Sequence, residues 1–140
     1  MKTVQHTIHV EGPVATVFAA WSDFERFPRF MQEVREVEPL DEKHQRWTAN
    51  IEGSLVQWET EVTVTIPNQR IAWRILGEDS SSGAVTMQQT GSGTELTLRF
   101  AYGATAPWAA MADEEIHAST ARDLESFKNY FEGELQRPAT

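Results

Sequence analysis

Cysteine is absent from this 140-residue chain. Disulfides, thiolate nucleophiles and cysteine-ligated zinc are therefore excluded, and the redox compartment cannot be inferred. No apolar run of 18 residues occurs, so no segment is built to cross a membrane as a helix. Basic residues are few: 12 Lys and Arg stand against 21 Asp and Glu, a formal net charge of −9. Those 12 are also scattered, whereas phosphate binding needs clustered cations. Nucleic acid and strongly anionic membrane surfaces are thus not expected as partners. The opening MKTVQHTIHVEG has one Lys and no apolar segment, which reads as no secretory signal and a cytoplasmic protein. Internal repeats and linkers are lacking too. The length fits one domain, 1–140, able to bury roughly two thirds of its unfolded surface.

Period-2 alternation dominates what is there. From Val56 to Ile66 the even positions are Val, Trp, Thr, Val, Val and Ile, with polar residues between them. That pattern predicts a long half-buried strand. Pro67-Asn68 supplies a turn, and Ile71, Trp73 and Ile75 alternate with Arg70, Ala72 and Arg74 as its hairpin partner. Val85 and Met87 continue the pattern after Gly83, with Ser80-Ser81-Ser82 as a loop tip before it. Gly91-Ser92-Gly93 is a turn, after which Leu96, Leu98, Phe100 and Tyr102 share a face. Val4, Ile8 and Val10 mark a first strand. Val34–Leu40 and Arg46–Ile51 mark two more, joined by Asp41-Glu42-Lys43. About seven strands on short turns imply a mostly antiparallel sheet with one wet face.

Two helical regions interrupt the strands. Gly12-Pro13 opens the first, where Val14, Val17, Phe18 and Trp21 form one stripe. The second runs over 113–135 on Ile116, Thr120, Leu124, Phe127, Phe131 and Leu135. Asp113, Glu114 and Glu115 lie at its start, where the helix dipole favours negative charge. Between the first helix and the second strand lies WSDFERFPRFM, with four aromatics in eleven residues. Asp23 can cap a second short helix there, and Phe27 before Pro28 should end it. The predicted fold is α+β. A curved antiparallel sheet of about seven strands wraps the long C-terminal helix, and two short helices follow the first strand.

This order resembles the START-like (SRPBCC, Bet v 1-like) superfamily, nearest its polyketide cyclase/dehydrase branch. The resemblance rests on EGPVATVFAAWSDFERFPRFM, WETEVTVTIPNQRIAWRI, SGAVTM and DLESFKNYFEGEL, which together span most of the chain. It implies a helix-grip fold enclosing an apolar cavity for a small hydrophobic molecule, lipid-, quinone- or polyketide-like. Some such proteins cyclise or dehydrate polyketides, some only carry a ligand, and chaperone activators with this fold bind other proteins. Aromatase/cyclases point an arginine and a serine into the cavity from the strand matching Val56–Ile66. Here the inward positions are Val56, Trp58, Thr60, Val62, Val64 and Ile66, and Arg70, Arg74 and Arg99 read outward.

A ligand wall is expected from Trp47, Trp58, Thr60, Trp73, Met87, Phe100 and Leu124, with Phe27, Phe30 and Met31 at the mouth. The alternative is that these side chains fill a solid core, each tryptophan burying about 150–250 Å². For catalysis, Asp113 and His117 stand i, i+4 on the long helix and could act as an oriented acid–base pair. Tyr102 is a further candidate donor. No metal and no cofactor are expected. His6 and His9 point to opposite faces of a strand and cannot share an ion, and His44 falls in a polar turn where water should solvate it.

Overall fold

The alternating segments pair into one antiparallel sheet. Its strands are β1 (Lys2–Glu11), β2 (Val34–Pro39), β3 (His44–Ile51), β4 (Ser54–Ile66), β5 (Arg70–Ile75), β6 (Ser82–Thr90) and β7 (Gly93–Tyr102). The structure is a computed structural model and describes residues 2–77, 81–103, 106–109 and 111–135, with Glu134 and Leu135 described by backbone only. The strand order is β1-β7-β6-β5-β4-β3-β2. Strands β2 to β7 follow as successive hairpins, and β7 returns to pair with β1 from Lys2↔Tyr102 to Glu11↔Gly93. Asn68, at φ 63°, takes the left-handed position of the β4–β5 turn, which a short polar side chain tolerates.

The expected register holds across most of the inner face, where Trp47 faces Trp58 and Val62 faces Trp73. It changes beyond Val62. A bulge between Val62 and Val64 shifts the phase by one, so that Thr65 faces Ile71, and Val64 and Ile66 face Ala72 and Arg70. Val64 and Ile66 are accordingly exposed, at 38% and 41%, not inward. One extra residue on one strand moves every later side chain to the other face. The serine run also differs. Ser81 is buried and its carbonyl accepts from Ile75 N–H, while Ser82 already belongs to β6. Ser80 lies outside the described residues.

Helix α1 (Val14–Ser22) starts after Pro13 and buries Val17 and Trp21. Its first free N–H, on Val14, is satisfied from a distance by Gln89 Oε1 at 2.8 Å. The segment Phe24–Arg29 is a 3-10 helix that runs through Pro28, so the predicted stop at Phe27 is corrected. Proline removes only one donor, and the turn closes beyond it through Phe30 N–H to Phe27 O at 3.1 Å. Asp23 flanks this helix without a side-chain cap bond and pairs with Arg26 at 2.8 Å instead.

The long helix α2 (Asp113–Leu135) buries Ile116, Thr120, Leu124, Phe127 and Phe131, as its stripe predicts. The side chain of Leu135 lies outside the described residues. Leu96, Phe127 and Leu124 are almost completely buried and join Val85, Met87 and Phe30 in one core. This solid core occupies the end of the sheet nearest α1. A second, smaller cluster buries Val4, Tyr102, Ala106 and Ile116, and Trp47, Trp73 and Phe100 pack against these cores only partly buried.

Candidate functional site

Between the inner face of β3–β7 and α2 lies a cavity of about 210 Å³. Its walls are aromatic. The chain has five tryptophans, and all five, Trp21, Trp47, Trp58, Trp73 and Trp108, line it. Trp47 and Trp58 are cross-strand neighbours stacked at 6.1 Å with ring planes 5° apart. Trp108, from the segment before α2, meets Trp58 edge-on at 6.0 Å. Phe27 of the 3-10 helix packs edge-on against Trp47 at 5.4 Å. Gly83 makes room for Trp73, since a Cβ there would stand 2.7 Å from the indole.

Polar groups enter this wall at two places. On the sheet side, Trp47 Nε1 donates to Thr60 Oγ1 at 2.9 Å, and Thr60 Oγ1 donates to Gln45 Oε1 at 3.0 Å. Thr60 and Gln45 are buried, so this chain spares three polar groups an unmatched desolvation. On the helix side, Ser119 Oγ donates to Glu33 Oε1 at 3.0 Å, and Arg122 stands 3.8 Å from the same oxygen. Asp123 lines the cavity one turn on from Ser119. Burial first, and the Glu33 carboxylate second, push its carboxyl up to about 7, against the opposing pull of Arg122. Among the described residues that line the cavity, Glu33 and Asp123 carry the only charges, and no Lys, Arg or His faces it. The buried indole N–H of Trp108 finds no partner among the described residues.

Seven of the ten expected ligand residues lie on the cavity: Phe27, Met31, Trp47, Trp58, Thr60, Trp73 and Phe100. Phe30, Met87 and Leu124 do not. They are buried in the solid core, Phe30 between Phe127 at 5.1 Å and Tyr130 at 5.6 Å. Phe30 is thus a plug and not part of the mouth, because its ring turns toward α2.

The polar trio of Tyr102, Asp113 and His117 lies apart from the cavity lining. Asp113 Oδ1 sits 2.6 Å from Lys2 Nζ and accepts from Tyr102 OH at 3.4 Å. The Lys2 ammonium holds the Asp113 carboxyl below its usual range. Asp113 thus spends its hydrogen bonds on Lys2 and Tyr102, while His117 acts on it through charge. His117 is exposed, with its ring edge-on to His6 at 5.8 Å. A carboxylate one turn away loses to an ammonium brought in from β1. His44 is also not simply solvated. Nδ1 lies 2.7 Å from Asp41 and Nε2 lies 3.1 Å from Glu61, which raises its pKa.

The acidic side of the cavity escaped the sequence reading. Asp123 carried one weak signal, since it stands i+3 from Thr120 and i−4 from Phe127, which places it at the edge of the apolar stripe. Glu33 carried none, because it precedes β2 in a segment without periodicity.

A curved antiparallel sheet that holds a hydrophobic cavity against its C-terminal helix defines a helix-grip protein of the START-like class. The family model for polyketide cyclase / dehydrase and lipid transport matches residues 10–127, and the chain belongs to that family. A crystal structure from Deinococcus radiodurans is similar at 30% identity and TM-score 0.74, covering 94% of this chain and 99% of the other. A START superfamily protein of Mycobacterium smegmatis matches at 18% identity and TM-score 0.73 over 94% and 95% of the two chains. An aromatase/cyclase from Streptomyces sp. R1128 matches at 19% and 0.76 over 96% of each. The last two likenesses concern the fold. No helix among the described residues is long and apolar enough to cross a membrane.

Proposed function

We propose that this protein binds a small, flat, hydrophobic molecule of ring-containing, quinone- or polyketide-like type in its aromatic cavity. The observation that carries this reading is the convergence of all five tryptophans on one space. A solid core would have used them to fill it. Trp47 and Trp73 are only partly buried, which leaves ring surface on which a planar ligand can stack. The space of about 210 Å³ exceeds the roughly 150 Å³ that holds a benzene in an engineered apolar cavity. Two fused rings are thus a sensible probe. Titration with 2-naphthalenemethanol should quench tryptophan fluorescence with saturation at one site per chain, and Trp58→Leu should weaken it. Quenching that never saturates, or that ignores Trp58→Leu, would defeat the reading.

Asp123 supports a second reading, in which the cavity dehydrates or cyclises its ligand. A carboxyl that holds its proton near neutrality can give it to a departing hydroxyl and take one from carbon. Against this, no cationic side chain faces the cavity among the described residues to stabilise an enolate. Catalysis by Tyr102, Asp113 and His117 would need a substrate outside the cavity. Binding without turnover is therefore the leading reading.

A further inference from the structure

We infer that the cavity selects a flat apolar molecule carrying an ammonium or comparable cationic nitrogen, held between Glu33 and Asp123 with its rings on the stacked indoles. This rests on the binding reading above and names the charge of its ligand. Two carboxyl groups share one end of a largely apolar space, and no basic side chain lines that space among the described residues. The charged groups around Asp123 are Glu33, from the segment before β2, and Arg122, beside it on α2; the strands that face it contribute no titratable group to the lining. Arg122 is half-exposed and already divided between Glu33 and Glu115, at 3.8 and 3.1 Å. It leaves the acidic end without an inward-facing counter-charge.

An ammonium placed there meets three favourable fields. It offsets the repulsion between the two carboxylates, so that both ionise. It can donate to the carboxylate oxygens that Ser119 leaves open, in charge-assisted hydrogen bonds. The aromatic wall of the same cavity, Trp47 and Trp58 included, adds a weaker attraction for a cation. An anionic ligand meets the opposite of each, and the net charge of −9 repels it on approach.

Three near-isosteric probes separate charge from shape: 2-naphthylmethylammonium, 2-naphthalenemethanol and 2-naphthoate. At pH 8 and low salt the ammonium should bind at least about tenfold tighter than the alcohol, and the naphthoate about tenfold weaker or not at all, each tenfold being about 1.4 kcal/mol. Raising the pH from 6 to 8 should tighten the ammonium and leave the alcohol unchanged, because Asp123 ionises over that range while the ligand stays protonated. Glu33→Gln with Asp123→Asn should bring the ammonium to within about threefold of the alcohol measured on the same variant, and an ammonium preference that survives in that variant overturns the inference. An alcohol that binds as well as the ammonium, with a flat pH profile in the unmodified protein, overturns the cation inference and leaves the binding reading standing. If no probe binds, the binding reading itself fails and this inference falls with it.

Discussion

Asp123→Asn should stabilise the protein, and more so as the pH rises. In the unfolded chain an aspartate titrates near 3.9. In the folded protein burial and Glu33 push Asp123 up to about 7. Below pH 4 both states hold the proton and the group favours neither. Between the two values the unfolded chain releases its proton and the native state keeps it, so native stability falls by up to about 1.4 kcal/mol per pH unit. Above pH 7 both are ionised and the cost is constant. Three units give a ceiling of about 4 kcal/mol, and the half-buried side chain, partly reached by water, reduces this to about 2 kcal/mol. Asparagine keeps the shape and removes the charge. The variant's gain over the parent should therefore grow by about 1 kcal/mol between pH 5.5 and pH 8, or about 3 °C in Tm for a chain of this length. Thermal unfolding by circular dichroism on both proteins at both pH values measures it. A gain that is equal at both, or a loss at pH 8, would refute the placement of Asp123 in a desolvated acidic pair.

Phe30→Ala and Met31→Ala should differ sharply although they are neighbours. Phe30 is 5% exposed in the solid core and its truncation should cost about 3–5 kcal/mol, while Met31 lines the cavity, so its loss should mainly weaken 2-naphthalenemethanol; urea unfolding beside probe titration separates the two. Thr60→Val keeps the volume but strands Trp47 Nε1 and Gln45 Oε1, so it should cost about 1–3 kcal/mol. A neutral result in the same urea assay would mean that water or ligand already satisfies them.

Strands and helices were legible because their signals are local. Side chains alternate along an extended chain and recur every 3.6 residues along a helix, so Leu96, Leu98 and Tyr102, or Ile116, Thr120 and Leu124, identify their faces wherever the element later packs. The misreadings arose where one residue's geometry altered the count. The bulge after Val62 turned Val64 and Ile66 outward. A 3-10 turn carried the chain through Pro28. Neither leaves a mark in hydrophobic patterning. The site was half legible for the same reason. Trp47, Trp58 and Trp73 declare an inward face from their strands alone, whereas Trp108 and Glu33 sit in irregular segments with no period to read.

The sequence by itself determined the class of fold, most of the inward faces and the excess of negative charge. Each follows from residue type and short-range spacing. Only the tertiary structure decided which inward residues pack and which line a space: Phe30 closes on Phe127, while Phe27 three residues earlier faces the cavity. It also decided the electrostatic partners. Lys2 takes Asp113 across 111 residues, and Ser119 reaches Glu33 across 86. A carboxyl's affinity for its proton depends on the water removed and the charges brought near it. Both are set by surfaces that meet only when the sheet closes on its helix, which is why Asp123 reads as an ordinary helical aspartate in the chain and as the acidic end of a cavity in the fold.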